Sequence, residues 1–226
     1  MAEAAPATEG NEARRRAMLE AAAELISERG FGETRIADVA KRAGASSALV
    51  IYYFGTRDRL LVDALRYSEE SFYDTAAKTL AEVTGFRERL STIVEWCCVP
   101  QTDGEVSGAW GLWLDLWATA FRHEEVGEAR VEQDRKWRDL VEGVLRDGQS
   151  SGEVAAELDV RRFALTFTML LDGIATQVAL EDPDINADLA YDIAIEYAEE
   201  KLGLDPMPRR SKPKKPAKKK RATKKA

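Results

Sequence analysis

The sequence has few of the residues on which common protein chemistries depend. Of 226 residues, two are cysteines, adjacent at Cys97 and Cys98, and one is a histidine, His123. Adjacent cysteines without a CxxC spacing exclude a disulfide framework and a Cys/His zinc site, and we interpret them as buried, inert thiols, the alternative being an oxidant sensor. A Ser-His-Asp set could be built only around His123, and no glycine-rich phosphate loop is present. We therefore expect no enzyme, no metal and no cofactor.

Long apolar runs are also lacking. Residues 1–11 contain no apolar core of a signal peptide. The most apolar stretch, Phe163 to Leu180, is interrupted by Asp172, and a carboxylate at the centre of a membrane span costs about 2.5–3.5 kcal/mol. The sequence thus predicts a cytoplasmic protein without a membrane partner, associated with the nucleoid if it binds DNA.

Charge is distributed unevenly around a net value of −7. Residues 13–67 contain 10 basic and 7 acidic side chains, residues 68–208 contain 12 basic and 30 acidic ones, and residues 209–226 contain 11 basic and none acidic. A basic N-terminal block and a basic tail flank an acidic middle, which predicts a polyanion contacted at the ends. The tail is either a solubilising extension or an additional, non-specific phosphate contact.

Apolar residues recur at three- and four-residue spacing with no strand-like alternation, so the sequence predicts an all-α fold. Two short helices are predicted near the N-terminus, one capped by Thr34 and one by Ser46, with Gly44 in the turn between them and Thr56 capping the helix that follows. Such a pair is typical of a helix-turn-helix that reads DNA. An ordinary helical hairpin is the alternative.

The second short helix has an unusual outward face. Ser47, Ala48, Leu49, Ile51 and Tyr52 are predicted to point away from the first helix, and such an apolar row suits a partner surface better than solvent. None of residues 46–54 is Arg, Lys, Asn or Gln, which make the strongest contacts to bases. The inventory predicts apolar contacts to thymine methyl groups.

These helices and their flanks resemble the DNA-binding domain of the tetracycline-repressor (TetR) family. The resemblance covers residues 14–65 without a gap, and its motifs are Gly30-Phe31-Gly-Glu-Thr34, Ile36-Ala-Asp-Val-Ala40, Ala43-Gly-Ala-Ser46, Tyr52-Tyr-Phe54 and Arg57-Asp-Arg-Leu60. It implies an N-terminal three-helix DNA-binding domain and a C-terminal helical domain for ligand binding and dimerisation. It also implies a homodimer that represses transcription from a double-stranded DNA operator and is released by a small-molecule ligand. The alternative is a helical protein–protein interaction module without specific DNA binding.

The C-terminal half resembles one branch of that family more loosely. The run Trp113 to Phe121, Leu170-Leu-Asp-Gly-Ile174 and a terminal helix are similar to the branch that includes the choline-responsive betaine repressor. This resemblance does not carry choline over as the ligand. Taken together, the whole sequence is predicted to divide into four segments: a disordered N-terminus at 1–12, the DNA-binding domain at 13–67 with its helix-turn-helix at about 34–53, a regulatory and dimerisation domain at 68–204, and a disordered basic tail at 205–226.

The predicted DNA contacts divide into two groups. Phosphates are assigned to Arg14–Arg16, Thr34, Arg35, Tyr53 and Arg57, and base edges to Ser46, Ser47, Leu49, Ile51 and Tyr52. At Ser47, Leu49 and Ile51 the chain departs from the residues usual in the family. No operator sequence can therefore be transferred from a relative.

The predicted ligand site is aromatic. Its candidates are Trp110, Trp113, Trp117, Trp137, Phe167 and Asp172. Each aromatic residue can instead be plain core, and Asp172 can be a hydrogen-bonded buried acid rather than a counter-ion for a ligand. Because Phe163–Leu180 is apolar on too many faces for one subunit to cover, the last two long helices are predicted to form the dimer interface, including Val178 and Ile193.

Overall fold

The computed structural model describes residues 5–98 and 108–210, and every regular element in those ranges is an α-helix. The helices are α1 Ala5–Arg29, α2 Ile36–Arg42, α3 Ser47–Phe54, α4 Arg57–Glu82, α5 Phe86–Cys98, α6 Gly108–Ala120, α7 Glu124–Ser151, α8 Val160–Ala179 and α9 Ala187–Leu202. The all-α prediction is confirmed.

Local capping and a glycine in the turn determine where the helices of the helix-turn-helix begin and end. Ser46 and Thr56 each accept a hydrogen bond from the backbone N–H three residues on, at 3.2 Å, which confirms both predicted caps of α3 and α4. Gly44, between α2 and α3, has a φ of 63°, which a residue with a side chain rarely adopts. The predicted cap of α2 is wrong, because Arg35 is the N-cap and the Thr34 hydroxyl instead donates to the carbonyl of Gly30 at 2.9 Å.

The N-terminal helices share one apolar core. Leu25 of α1, Val39 of α2, Val50 of α3 and Leu61 of α4 are all buried in it. Leu116 of α6 joins the same core, together with Val126 and Ala129 of α7. The DNA-binding unit is therefore packed directly against two helices that the sequence assigned to the regulatory domain.

A second core lies among α5, α7, α8 and α9. It contains Leu90, Leu145, Phe167, Leu171 and Ile195, all fully buried. α4 connects the two cores, because it runs without interruption through the predicted domain boundary at residue 67.

Two predicted disordered segments are partly ordered. Residues 5–12 belong to α1, with Pro6 in the first turn, where its missing N–H leaves no hydrogen bond unmade, and with the Asn11 side chain bonded to the Tyr53 hydroxyl. Residues 205–210 fold onto α9, where Met207 is buried and Arg209 pairs with Glu199. Residues 1–4 and 211–226 lie outside the described ranges.

Candidate functional site

The exposed face of α3 is apolar. Ile51 is 49% exposed and Tyr52 79% exposed, with Ser47 and Ala48 on the same face, whereas Val50 and Phe54 are buried against the N-terminal core. Leu49 is half-buried, because part of its side chain packs on that core. Large apolar side chains this exposed on a short, rigidly held helix indicate a surface that contacts a partner.

Basic and polar groups surround this face. Arg14, Arg15 and Arg16 are exposed near the middle of α1, and Arg35 is exposed at the N-cap of α2. Arg15 forms a surface ion pair with Asp63 at 2.9 Å, and an ion pair of this kind contributes little to stability. These groups leave the face accessible to a polyanion.

Two of the predicted phosphate contacts are corrected by the structure. Thr34 has no exposed surface, so its side chain cannot reach a phosphate. The Arg57 guanidinium donates to the carbonyls of Thr34, Phe31 and Gly32 and pairs with Asp58. Arg57 therefore holds the loop that precedes α2, and its donors are directed into the protein.

A cavity of about 380 Å³ lies between the two cores. Four tryptophans and two other aromatic side chains line most of it, and the polar groups on its wall include two carboxylates. The lining side chains are Phe72, Tyr73, Thr75, Ala76, Thr79, Trp96, Cys97, Trp113, Trp117, Gln133, Asp134, Trp137 and Asp172. This size and mixture are typical of a small-molecule site.

The pKa values of the two carboxylates are both raised by burial. Burial and the nearby Asp134 raise the pKa of Asp172 to about 7, with Arg138 acting in the opposite direction. Burial also raises the pKa of Asp134, while its ion pair with Arg130 lowers it. A carboxylate desolvated among aromatic rings gains most from a cation that enters the cavity.

Some of the predicted ligand residues line the cavity, one does not, and one is not described. Trp113, Trp117, Trp137 and Asp172 line the cavity. Phe167 does not, because it is fully buried in the C-terminal core and stacks on Tyr197 with ring centroids 6.1 Å apart. The side chain of Trp110 lies outside what the structure describes.

The sequence reasoning missed most of the α4 wall of the cavity. Phe72, Tyr73, Ala76 and Thr79 recur at three- and four-residue spacing on that helix. This periodicity is visible in the sequence, but it indicates only that one face of α4 is directed inward. It does not show whether that face meets packed side chains or a cavity.

α6 joins the cavity to the DNA-binding unit. Trp113 and Trp117 line the cavity, while the Asp115 carboxylate accepts a hydrogen bond from the backbone N–H of Phe31. Leu116 is buried in the N-terminal core. One helical turn therefore contacts both the cavity and the loop that Arg57 holds.

α4 and α7 make a second connection, beside the cavity. The Glu69 carboxylate of α4 is almost fully buried, and its Oε2 lies 3.5 Å from Lys136 Nζ of α7. Burial raises the pKa of Glu69, and the Lys136 charge opposes that rise. Gln133, one turn before Lys136, lines the cavity.

An apolar surface on α8 and α9 is left uncovered by the single chain. Its exposed members are Leu165, Met169, Leu180, Leu189 and Ile193, with Met169 58% exposed. Val178, by contrast, is half-buried against the C-terminal core.

Metal-binding clusters and membrane spans are both absent from the described part of the chain. No group of three or more His, Cys, Asp or Glu side chains among residues 5–98 and 108–210 could hold a metal ion. None of the helices in those ranges combines the length and hydropathy that a membrane span needs.

Two family models match the chain. Residues 18–64 match the model of bacterial regulatory proteins of the tetR family. Residues 86–203, more than half of the chain, match the model of the BetI-type transcriptional repressor C-terminal region. The first match contains the helix-turn-helix, and the second contains most of the cavity wall.

Individual relatives cover nearly the same range. The HTH-type transcriptional regulator BetI of Agrobacterium fabrum is 28% identical over 200 residues, which is 88% of this chain and 93% of that protein. BetI of Rhizobium meliloti is 25% identical over 201 residues, which is 87% of this chain and 95% of that protein.

Solved structures show the same architecture. A transcriptional regulator from Saccharomonospora viridis, solved in complex with choline, is 28% identical, with a TM-score of 0.73 over 85% of this chain and 98% of that one. A TetR-family transcriptional regulator from Rhodococcus sp. is 26% identical, with a TM-score of 0.72 over 84% of this chain and 98% of that one.

Proposed function

Since the chain belongs to the tetR family of bacterial regulatory proteins, with a BetI-type C-terminal region, and is a DNA-binding transcriptional repressor, we propose that it acts as a homodimer released from its operator by a cationic small molecule. Family membership makes it a regulator rather than an enzyme, and favours DNA binding over the protein–protein module. Bound to operator DNA, it would be associated with the nucleoid in the cytoplasm.

The DNA contact is proposed on the exposed face of α3. Ser46, Ser47, Ile51 and Tyr52 would meet base edges in the major groove, with Leu49 at the margin because it is half-buried. Arg14–Arg16, Arg35 and Tyr53 would contact phosphates, which fix the position of the helix without reading sequence. Thr34 is omitted because it is fully buried, and Arg57 is omitted because its guanidinium binds backbone carbonyls.

The ligand class is proposed from the cavity. The observation that carries it is Asp172, a carboxylate buried among aromatic side chains without a full counter-charge. Aromatic faces attract organic cations, and quaternary ammonium groups are the ligands that aromatic cages recognise best. Choline, present in the Saccharomonospora viridis regulator, has such a group. We therefore expect a monocationic amine with an apolar body.

An isosteric pair of probes tests this class directly. Choline and 3,3-dimethylbutan-1-ol have the same shape, but only choline is charged. Quenching of tryptophan fluorescence, with Trp113, Trp117 and Trp137 in the wall, reports binding. We expect choline or a larger quaternary amine to bind at least tenfold more tightly than its neutral isostere, and Asp172→Asn to remove the difference. If the quaternary amine and its neutral isostere bind with equal affinity, the ligand is not recognised as a cation.

Signal transfer is proposed to run through α6. A ligand that pushes on Trp113 and Trp117 moves the turn that also contains Asp115 and Leu116. The hydrogen bond from Phe31 N–H to Asp115 then shifts the loop before α2. Ligand and operator affinities become coupled when that shift changes the separation of the two α3 helices, which must match half-sites about 34–36 Å apart.

The dimer is proposed to form through α8 and α9. Their exposed apolar side chains are left uncovered by the single chain, and a second copy of the same surface can cover them by twofold symmetry. Ile193 stays in the predicted interface. Met169 is a better test position than Val178, because a change at Val178 would also disturb the core.

A further inference from the structure

We propose that Asn11 of α1 donates from its side-chain amide to a phosphate of the operator, and that Tyr53 is the positioning residue that orients this amide. Asn11 is then a DNA-binding residue outside the stretch 18–64 that matches the tetR family model. Tyr53 takes part in the phosphate contact through Asn11. The inference rests on the proposed function, because it needs DNA held against the exposed face of α3.

Asn11 contacts α3 through a hydrogen bond between side chains. The Tyr53 hydroxyl donates to Asn11 Oδ1 at 2.5 Å, although 42 residues separate the two in the sequence. Asn11 is exposed, whereas Tyr53 is half-buried and packs against the N-terminal core. Tyr53 is therefore held by the core, and its hydroxyl reaches the surface at Asn11.

A second contact, one helical turn further along α1, fixes this part of the helix against α3. The Arg15 guanidinium carbon lies 5.4 Å from the centre of the Phe54 ring, which is a cation–π distance, and Arg15 also pairs with Asp63 of α4 at 2.9 Å. Residues four apart lie on the same face of a helix. Tyr53 and Phe54 thus contact the same face of α1 at Asn11 and Arg15, so the position of Asn11 is set by two neighbouring contacts.

The direction of the hydrogen bond decides which atom can bind a phosphate. A tyrosine hydroxyl has one proton, and Tyr53 donates it to Asn11 Oδ1. The phosphate oxygens of DNA only accept hydrogen bonds, so in this arrangement Tyr53 has no proton left for them. The amide nitrogen of Asn11, Nδ2, carries two N–H groups. Because Oδ1 faces Tyr53, the donors of this pair are on the Asn11 nitrogen.

The pair lies at the edge of the surface that is proposed to enter the major groove. Tyr52, which is 79% exposed on that surface, contacts Tyr53 edge to face, with ring centroids 5.5 Å apart. Arg14, three residues after Asn11 on the same side of α1, is also exposed. Asparagine and arginine side chains beside a reading helix are typical contacts to the DNA backbone. A phosphate bordering the groove is therefore the group that fits this combination.

The opposite arrangement would have Tyr53 as the phosphate donor, with Asn11 serving only to hold α1 against α3. The two arrangements differ in which residue acts through the other. If Asn11 binds the phosphate, the Tyr53 hydroxyl contributes to affinity only while Asn11 is present. If Tyr53 binds it, the contribution of the hydroxyl survives the loss of Asn11.

A double-mutant cycle on the full chain separates these arrangements. The operator is selected from a random-sequence DNA library with the wild-type chain. Its Kd is then measured across salt concentrations for the wild type, Asn11→Ala, Tyr53→Phe and the double variant, and urea unfolding of each variant measures stability separately.

A charged variant tests the donor itself. Asn11→Asp keeps an acceptor for the Tyr53 hydroxyl, and with it the contact between α1 and α3, but has no N–H group. Ala13→Asp is its control, because it adds the same charge at an exposed position of α1 that lies about 200° around the helix from Asn11.

We expect Asn11→Ala to weaken operator binding at least tenfold, because a hydrogen bond to a charged group is lost in each subunit. Tyr53→Phe should weaken binding less, and the double variant should match Asn11→Ala. The slope of log K against log salt should stay that of the wild type in all three, since no positive charge is removed. Asn11→Asp should bind more weakly than Ala13→Asp.

Three results would overturn the proposal. Wild-type affinity of Asn11→Ala means that Asn11 does not bind a phosphate. An effect of Tyr53→Phe that persists in full in the Asn11→Ala background means that Tyr53 is itself the donor. Equal affinities of Asn11→Asp and Ala13→Asp mean that Asn11 only holds α1 against α3. Failure of the proposed function has another signature, which is that the wild-type chain prefers no selected DNA over scrambled DNA.

Discussion

At the residue scale, the protonation of Asp172 decides what the cavity can hold. Its pKa of about 7 in the free protein means that a cation must displace a proton at lower pH. We expect the affinity for a quaternary amine to fall about tenfold per pH unit below that value and to be constant well above it. Asp172→Asn should bind more weakly at pH 8 and show no such dependence. Titrations from pH 5 to 9 measure this, and a flat wild-type profile would contradict the assignment.

The same shift predicts a stability difference. The pKa of this carboxyl is raised from 3.8 in the unfolded chain to about 7 in the fold, so the charged form destabilises the folded state. Below pH 4 the free energy of unfolding of the wild type therefore keeps its full value relative to that of Asp172→Asn. As the pH rises from about 4 to 7, the wild type loses up to about 4 kcal/mol relative to the variant. Urea unfolding of the pair at pH 4 and pH 8 separates this effect from other titrating groups.

Sequence reasoning at this scale was limited by which atoms a side chain can reach. Thr34 and Arg57 are both predicted to contact phosphates, yet one is fully buried and the other binds backbone carbonyls. Phe167 belongs to the same apolar helix as Asp172, but one faces the core and the other the cavity. These differences depend on neighbours distant in sequence, which residue types alone do not specify.

At the element scale, α3 is expected to read thymine through its methyl group. Ile51 is exposed, and the helix lacks the side chains that bind guanine or adenine with two hydrogen bonds. Replacing half-site thymines by uracil removes a methyl and keeps the pairing, and each methyl buried contributes about 0.8 kcal/mol, or about fourfold in Kd. Operator titrations with both DNAs should show this weakening for the wild type.

Two variants make that measurement specific. Ile51→Ala should abolish the preference for thymine over uracil. Val131→Ala, at an exposed valine of α7, should leave the preference unchanged. Indifference of the wild-type protein to uracil would rule out reading through methyl groups.

The positions of the helices along the sequence were largely predictable, whereas the packing of one helix against another was not. The caps at Ser46 and Thr56 and the turn at Gly44 depend on local backbone chemistry, so spacing was sufficient to predict them. α6 was predicted as an aromatic helix of the regulatory domain, but its Leu116 belongs to the N-terminal core. Aromatic periodicity marks the face toward the cavity and carries no information on what the opposite face contacts.

At the scale of the whole molecule, dimerisation is expected to depend on α8 and α9. Met169→Glu or Ile193→Glu places a charge in an apolar surface that a second copy would cover, so we expect monomers that bind operator weakly. Val131→Glu, at a comparably exposed apolar side chain on α7, should remain dimeric. Analytical ultracentrifugation distinguishes the species, and dimers in all three variants would place the interface elsewhere.

The coupling of two distant sites is the central claim, and operator affinity with and without ligand tests it most directly. With a quaternary amine bound, as shown by tryptophan quenching, we expect the Kd for selected operator to rise at least fivefold, a typical size for allosteric coupling. Asp115→Ala should bind the amine normally and lose most of that change, because the connection from α6 to Phe31 is removed. An unchanged operator Kd in wild-type protein saturated with the amine would contradict the account.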